Sequence, residues 1–175
     1  MTERERAEGP PAVRRPNKLV VLLGVTGSMV LLDQLSKNFI RVWLQVGDRV
    51  PVLGDVLTLT YLLNPGAAFG VQGGPGRWAL WLGLGAAGLL VLVFVFMPVE
   101  QRLRLYAVAV TLGGALGNLI DRFQQPAGVV DFIHLRVLRW SFPVFNLADV
   151  AVLGGSLTLI VAIWWEERKL RERTT

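Results

Sequence analysis

The stretch that decides the fold is WALWLGLGAAGLLVLVFVFM, residues 78–97, which contains no charged side chain. As an α-helix, its 20 residues would extend about 30 Å, the thickness of the hydrocarbon core of a bilayer. An uninterrupted apolar run of this length is typical of a transmembrane helix. The stretch therefore predicts a protein that is embedded in a membrane, and the rest of the sequence is interpreted around it.

The composition of the whole chain agrees with a membrane protein. Its 175 residues suit one domain, and 53% of them are hydrophobic while 18% are charged. The net charge is +5, but the basic residues flank apolar runs, so they indicate membrane orientation rather than nucleic-acid binding. The absence of cysteine excludes disulfides, thiolate metal sites and thiol nucleophiles, and the single histidine, His134, excludes a multi-histidine metal site. We expect no metal and no cofactor.

Three further apolar runs predict three more spans, over residues 19–40, 103–120 and 142–165. Residues 1–18 are polar and proline-rich, which predicts a disordered tail. Residues 19–168 then form one four-span membrane domain, and residues 169–175 form a second tail. The first span is not interpreted as a cleaved signal peptide, because its apolar run is long and no A-x-A-like site follows it.

The distribution of lysine and arginine predicts the orientation. Five basic residues lie in the N-terminal tail, two between the second and third spans, and four in the C-terminal tail. Only six lie in the two longer loops, residues 41–77 and 121–141, which together contain more residues. The positive-inside rule therefore places both termini in the cytoplasm and both longer loops outside.

Both outer loops contain strand-like sequence. VLTLTY, residues 56–61, alternates apolar and polar side chains with the period of a half-buried strand. VVDFIHLRVLRWSF, residues 129–142, also contains strand-like stretches. We expect these segments to form a small sheet that lies on the membrane surface.

The polar residues inside or beside the spans share one depth. Counted along the predicted helices, all lie at or near the outer ends, and no acid falls in the inner half of a span. Ionisable groups within a membrane are costly and usually mark a functional cavity. Their common level predicts a single site near the outer boundary, formed by Asp33, Lys37, Asn118, Asp121, Asp131, Asn146 and Asp149.

Each of these groups also has a structural interpretation. Asp33 and Lys37 are four residues apart, so they can form an ion pair on one helix. The segment GGALG, residues 113–117, is typical of a close helix–helix contact. Asp121 and Arg122 can form an ordinary pair at the end of a helix.

The start of the fourth span has the same ambiguity. Asn146 followed by Asp149 fits a helix N-cap with a reciprocal capping box. Taken alone, Asp131 is an ordinary acidic residue in a loop, and His134 is an interfacial or loop histidine. The functional interpretation rests on the coincidence of all these positions.

Five sequence blocks, in their order and spacing, resemble the lipoprotein signal peptidases, also called signal peptidase II. The blocks are D-Q-x-x-K (33–37), N-x-G-A-A-F (64–69), G-G-A-x-G-N-x-x-D-R (113–122), V-V-D-F (129–132) and F-N-x-A-D (145–149). One block alone is weak, whereas five in order are specific. Two features are unusual. Pro65 is a tolerable variation within the second block, and the family does not require the arginine-rich N-terminal tail.

The resemblance implies an all-α transmembrane four-helix bundle with a small extracytoplasmic β-sheet cradle and a short surface helix. It implies an aspartyl endopeptidase of the bacterial cytoplasmic membrane that acts on prolipoproteins whose cysteine carries a diacylglyceryl group. Cleavage falls just before that cysteine, at the membrane interface, while the acyl chains remain in the membrane lipids. Globomycin-type cyclic peptides inhibit by lying in the same cleft. A monomer is expected.

The family's functional residues carry over by motif. Asp131 and Asp149 correspond to the catalytic dyad. The positions implied to bind substrate or support the dyad are Asp33, Lys37, Asn64, Gly66, Asn118, Asp121, Arg122, Asn146 and Ala148.

The chemistry suits two carboxylates. Amide hydrolysis without a metal or a nucleophilic side chain needs a base that activates water and an acid that protonates the leaving amine. Two adjacent carboxylates do not both ionise cheaply, so one retains a proton. We expect the helix dipole to favour the anion at Asp149, which leaves Asp131, between Val130 and Phe132, as the proton holder. Asn64 and Asn146 are expected to orient the aspartates or bind substrate backbone, and Arg122 to hold Asp121 or a carbonyl.

Other functions remain open from the residues alone. One is a small transporter or channel subunit with Asp33, Lys37 and Asp149 as an acidic relay, which predicts acids spread through the membrane depth. Another is a scaffold whose glycines form contact faces. A Ser–Lys peptidase is disfavoured, because Ser36 is adjacent to Lys37 and lies on another helix face.

Overall fold

Four long helices and one small antiparallel sheet form the protein in a computed structural model that describes residues 17–66, 77–125 and 127–174. The helices are α1 (Lys18–Trp43), α2 (Arg77–Phe96), α3 (Arg102–Gln124) and α4 (Leu147–Thr174). All four are long and apolar enough to cross a membrane. The predicted mainly helical fold class, with four helices of membrane-spanning length and composition, is therefore confirmed.

Helix α3 lies at the centre of the bundle. It packs against α1, α2 and α4, whereas the backbones of α2 and α4 do not approach each other closely among the described residues. Small residues permit this packing: a β-carbon at Gly113 would collide with Met29 of α1, and one at Gly114 would collide with Ala148 of α4. The predicted close helix–helix contact through residues 113–117 is confirmed.

The sheet has the order β1 (Arg49–Leu53), β2 (Leu57–Asn64), β3 (Val129–Val137) and β4 (Trp140–Ser141), and every neighbouring pair is antiparallel. An apolar cluster of Ile40, Leu44, Val130 and Phe132 joins the sheet to the end of α1. The predicted strand at residues 56–61 is confirmed, because it lies within β2 except for its first residue. The sheet therefore lies at one end of the bundle, where α1 and α3 end and α4 begins.

Helix α4 differs from its prediction at both ends. Residues 142–146 are not helical, because Phe145 pairs with β3 in an extended conformation: its amide donates to the Ile133 carbonyl, and its carbonyl accepts from the Ile133 amide. The helix begins at Leu147 and continues through the expected C-terminal tail to Thr174. Oppositely charged residues at helical spacing, such as Arg168 and Glu172 with a 3.6 Å separation, favour this extension.

Two further helix features differ from a simple span, and some expectations fall partly outside the described residues. Helix α3 runs to Gln124, a turn beyond the predicted end at residue 120, and α1 contains a π-helical turn at Leu22–Thr26. No helix occurs between α1 and residue 66, so the expected short surface helix is absent from that part of the loop. Residues 67–76, which include the end of the N-x-G-A-A-F block, and residues 1–16 of the expected disordered tail lie outside the described residues.

Candidate active site

Asp131 is a buried carboxyl group near the start of β3, with 2% of its surface exposed. Asn146 Nδ2 donates to Asp131 Oδ1 at 2.6 Å, and Asn64 Nδ2 donates to Asp131 Oδ2 at 2.9 Å. Burial and the nearby charge of Asp149 raise the pKa of Asp131 from its ordinary value of 3.8 to about 6, against the lowering effect of the two asparagine amides. Asp131 therefore retains a proton to a higher pH than an ordinary aspartic acid.

Asp149 lies in the first turn of α4 and is half-buried. Its Oδ2 accepts the Asn146 backbone amide at 3.1 Å, and its own amide donates to Asn146 Oδ1 at 2.9 Å. This is the capping box that the sequence predicts. The second oxygen, Oδ1, accepts from Asn118 Nδ2 at 2.8 Å, so the cap and the site share one carboxylate.

Two asparagines are locked so that their amino groups point at Asp131. Asn146 Oδ1 is occupied by the Asp149 amide, so Asn146 Nδ2 faces Asp131. Asn64 Oδ1 accepts the Gly66 amide at 3.0 Å, so Asn64 Nδ2 faces the other oxygen of Asp131. Gly66 has a φ of 92°, a backbone conformation that glycine adopts without strain.

A third asparagine is locked in the same way toward Asp149. Asn118 Oδ1 accepts Lys37 Nζ at 3.0 Å and Asn146 Nδ2 at 3.1 Å. Both neighbours are donors, so Asn118 Nδ2 must face a carboxylate, and it meets Asp149. Through Asn146 and Asn118 the two aspartates belong to one continuous hydrogen-bond network.

A buried ion cluster lies behind this network. Lys37, fully buried, contacts Asp33 at 2.8 Å and Asp121 at 3.1 Å, and Arg41 contacts Asp121 at 2.8 Å. Two acids and two bases make the cluster neutral, which a low-dielectric site requires. The Asp33–Lys37 ion pair predicted from their spacing is confirmed.

The same acids hold the elements that carry the aspartates. Asp33 Oδ1 accepts the Ala148 amide at 3.0 Å, in the first turn of α4 and next to Asp149. Asp121 Oδ2 accepts the Val130 amide at 3.0 Å, one residue before Asp131 in β3. The ion cluster therefore fixes the position of one strand and one helix relative to each other.

Arg122 binds a carbonyl and not Asp121. Its Nη1 donates to the Asn118 carbonyl at 3.2 Å, one of the two roles that the sequence left open. Its guanidinium also interacts electrostatically with both Asp131 and Asp149. Arg122 therefore supplies positive charge beside the pair.

Sequence reasoning missed two members of the cluster. Arg41 was assigned to the outer loop, but it belongs to the last turn of α1. Its position four residues after Lys37 was the available signal. Gln34 Nε2 donates to the Gly117 carbonyl at 3.1 Å and to Asp33 Oδ2 at 3.1 Å, and its place in the D-Q-x-x-K block was the available signal.

Two residues considered for other chemistry have separate contacts. Ser36 donates to the Asp33 carbonyl at 2.7 Å, within its own helix, whereas Lys37 Nζ is bound to Asp33, Asp121 and Asn118. His134 lies on β3, where its Nε2 contacts Ser141 Oγ at 2.8 Å. Within the described ranges, no group of histidine, aspartate and glutamate side chains is arranged to hold a metal ion.

The site combines two interacting carboxyl groups of unequal environment. Asp131 is buried and retains its proton more strongly than usual, whereas Asp149 is half-exposed and bound by amide donors. Such a pair can provide one acid and one base to the same reacting group.

Comparison with known proteins identifies the family. A family model described as Signal peptidase (SPase) II matches residues 25–165. A lipoprotein signal peptidase of Acinetobacter baylyi is 37% identical over 158 residues, which are 88% of this chain and 87% of the relative. One of Moorella thermoacetica is 40% identical over 131 residues, which are 75% of this chain and 84% of the relative.

Solved structures agree with these matches. A structure described as a bacterial membrane enzyme has a TM-score of 0.75 and 29% identity, and the match covers 83% of this chain and 88% of the other. A second structure with the same description has a TM-score of 0.73 and 30% identity, with 81% and 90% covered. The match of most of the chain to one family model, together with these relatives, shows that the chain belongs to the signal peptidase II family of peptidases.

Proposed function

We propose that this chain is an aspartic endopeptidase that removes the signal peptide from diacylglyceryl-modified prolipoproteins by cutting just before the lipidated cysteine. The observation that carries the aspartic mechanism is the shared network in which Asn146 binds both Asp131 and Asp149. The names of the relatives support the substrate class. Both aspartates come from one chain, so a monomer is the catalytic unit.

We propose that both termini are cytoplasmic and that the sheet and the aspartates lie at the extracytoplasmic face of the bacterial inner membrane. Three observations support this orientation. The basic residues concentrate at the chain ends. Arg168 lies 5.3 Å from the Trp164 ring and Lys169 lies 5.4 Å from the Trp165 ring, an aromatic and basic belt typical of an interface. The sheet lies at the opposite end of α4 from this belt.

In the proposed reaction, Asp149 is the base and Asp131 the acid. Asp149 takes a proton from a water, and the resulting hydroxide attacks the carbonyl carbon before the cysteine. The tetrahedral intermediate then collapses, its C–N bond breaks, and Asp131 gives its proton to the departing cysteine amine. Asn118 Nδ2 and the Asn146 backbone amide each donate to one oxygen of Asp149, so this carboxyl group is held in a fixed orientation. Arg122 offsets the negative charge of the pair.

The arrangement of helices supports lateral entry of the substrate. Helices α2 and α4 each pack on α3, and their backbones do not approach each other closely within the described residues. A signal peptide that unwinds at the interface can therefore approach α3 between them, while its acyl chains remain in lipid. We propose that globomycin-type cyclic peptides inhibit by occupying the same cleft.

A gel-shift assay on a diacylglyceryl-prolipoprotein tests the mechanism. We expect Asp131→Asn and Asp149→Asn each to reduce cleavage by at least about a thousandfold, because each removes one proton-transfer role. Asp55→Asn is the matched control, since Asp55 is exposed in the β1–β2 turn. Normal processing by either site variant would disprove the dyad. An acidic relay for transport is disfavoured, because the buried acids gather at one end of the bundle.

A further inference from the structure

A basic pocket on the sheet is separate from the aspartate pair. It has a volume of about 430 Å³ and is bordered by residues of all four strands. The side chains with polar groups that line it are Arg49, Thr60, Tyr61, His134, Arg136 and Ser141. None of these residues has a part in the proposed hydrolysis.

The pocket opens on the same face of the sheet as Asp131. Leu59 and Leu63 pack against the apolar cluster under the sheet, so the alternating residues Thr60 and Leu62 face the other way. Leu62 is the cross-strand partner of Asp131, and paired residues project from the same face. Because Leu62 and Thr60 also line the pocket, a chain leaving the aspartates across this face enters it.

The charge of the pocket is unbalanced. No carboxylate of a described residue lines it, and neither Arg49 nor Arg136 forms an ion pair with a described residue. His134 is bound to Ser141 through Nε2 alone. Two unpaired guanidinium groups in one concave site are complementary to an anion.

We propose that this pocket binds an acidic side chain of the mature part of the substrate, three to five residues after the cleaved bond. His134 and Arg136 follow Asp131 by three and five residues on β3, which corresponds to about 10 to 17 Å. An extended substrate covers that distance with the same number of residues. The inference rests on the proposed function, which places the mature part outside the membrane and over the sheet.

The test compares cleavage of three prolipoproteins that carry glutamate, glutamine or lysine at the fourth residue after the cleaved bond. The full-length enzyme is assayed in nanodiscs of phosphatidylcholine, which has no net charge and does not compete for arginine. We expect kcat/KM for glutamate to exceed that for lysine by about tenfold, because each exposed ion pair contributes only a few fold.

Matched variants then assign the preference to the pocket. We expect Arg136→Gln to reduce the ratio of glutamate to lysine to about threefold, and the further change Arg49→Gln to abolish it. Arg139→Gln is the control: it removes the same charge from the same hairpin, at an exposed position that does not line the pocket, and is expected to keep the ratio.

The outcomes separate the two proposals. If no prolipoprotein is cleaved, the proposed function fails and the inference fails with it. If all three are cleaved at equal rates, only the inference fails. If Arg136→Gln slows all three substrates equally, the pocket serves the fold or a lipid headgroup, and the assignment to the substrate is overturned.

Discussion

Replacing Asp131 by asparagine is expected to inactivate the enzyme and to stabilise its fold at neutral pH. The pKa of Asp131 rises from 3.8 to about 6 on folding, mainly because the carboxyl is buried. Well below pH 3.8 the group is protonated in both the folded and the unfolded chain and contributes little. Between pH 3.8 and about 6 the unfolded chain has lost this proton while the folded chain still holds it, so stability falls progressively over this range and changes little above it.

The magnitude follows from the shift. A change of about two pKa units at about 1.4 kcal/mol each corresponds to about 3 kcal/mol of destabilisation above pH 7. Asparagine removes this term, but it accepts only one of the two amide bonds that Asp131 accepts, at a cost of about 1 kcal/mol. Asp131→Asn is therefore expected to be more stable than the wild type by about 2 kcal/mol at pH 7.5, with the advantage absent at pH 4.

Thermal unfolding in detergent at both pH values measures the effect. For a chain of this size, 2 kcal/mol corresponds to roughly 4–8 °C in Tm. The exposed Asp55→Asn serves as the control and should show no such difference. An Asp131→Asn variant that is less stable at both pH values, or stabilised equally at both, would refute the argument that burial of this carboxyl opposes folding.

Three further predictions follow from the site. Asn64→Leu removes a donor that lowers the pKa of Asp131, so the fall of kcat/KM above about pH 6 should move to higher pH. A pH–rate profile unchanged by this substitution would contradict the acid role. Lys37→Met leaves the buried Asp33 carboxylate without an ion-pair partner, while Asp121 keeps Arg41, and should cost about 3–5 kcal/mol in thermal unfolding. At Gly117 a β-carbon would lie 2.5 Å from the carboxylate that pairs with Lys37, so Gly117→Ala should lower activity in the gel-shift assay, whereas Gly85→Ala, with open space around it, should not.

Much of the fold could be predicted from local sequence. The four spans follow from apolar runs, and β2 from the alternation of residues 56–61, because both signals depend on neighbouring residues only. The ends of α4 could not be predicted in this way. Residues 142–145 are apolar enough for a span, but their backbone pairs with β3 instead. The apolar pattern of these residues does not indicate that pairing.

The candidate site was predictable as a set of residues but not as a set of contacts. The common depth of Asp33, Lys37 and Asp149 indicated one site, and the structure brings them into one connected network. Asp121 accepts the amide of Val130, the residue before Asp131. This contact depends on how β3 lies against α3. Arg41 was missed because a basic residue at the end of a span is ordinarily interpreted as a signal of membrane orientation. Only its ion pair with Asp121 shows that it also belongs to the site.

The three asparagines explain how the two acids are held together. An asparagine amide gives a donor without adding charge, and its orientation is decided by what its oxygen meets. Asn64, Asn118 and Asn146 each meet a fixed donor on the oxygen side, so each must present its amino group to a carboxylate. Replacing any of them by aspartate would add a third acid where a donor is needed. The ion cluster around Lys37 supplies one of those fixed donors, and this connects a buried charge network in the helices to the orientation of the reacting groups.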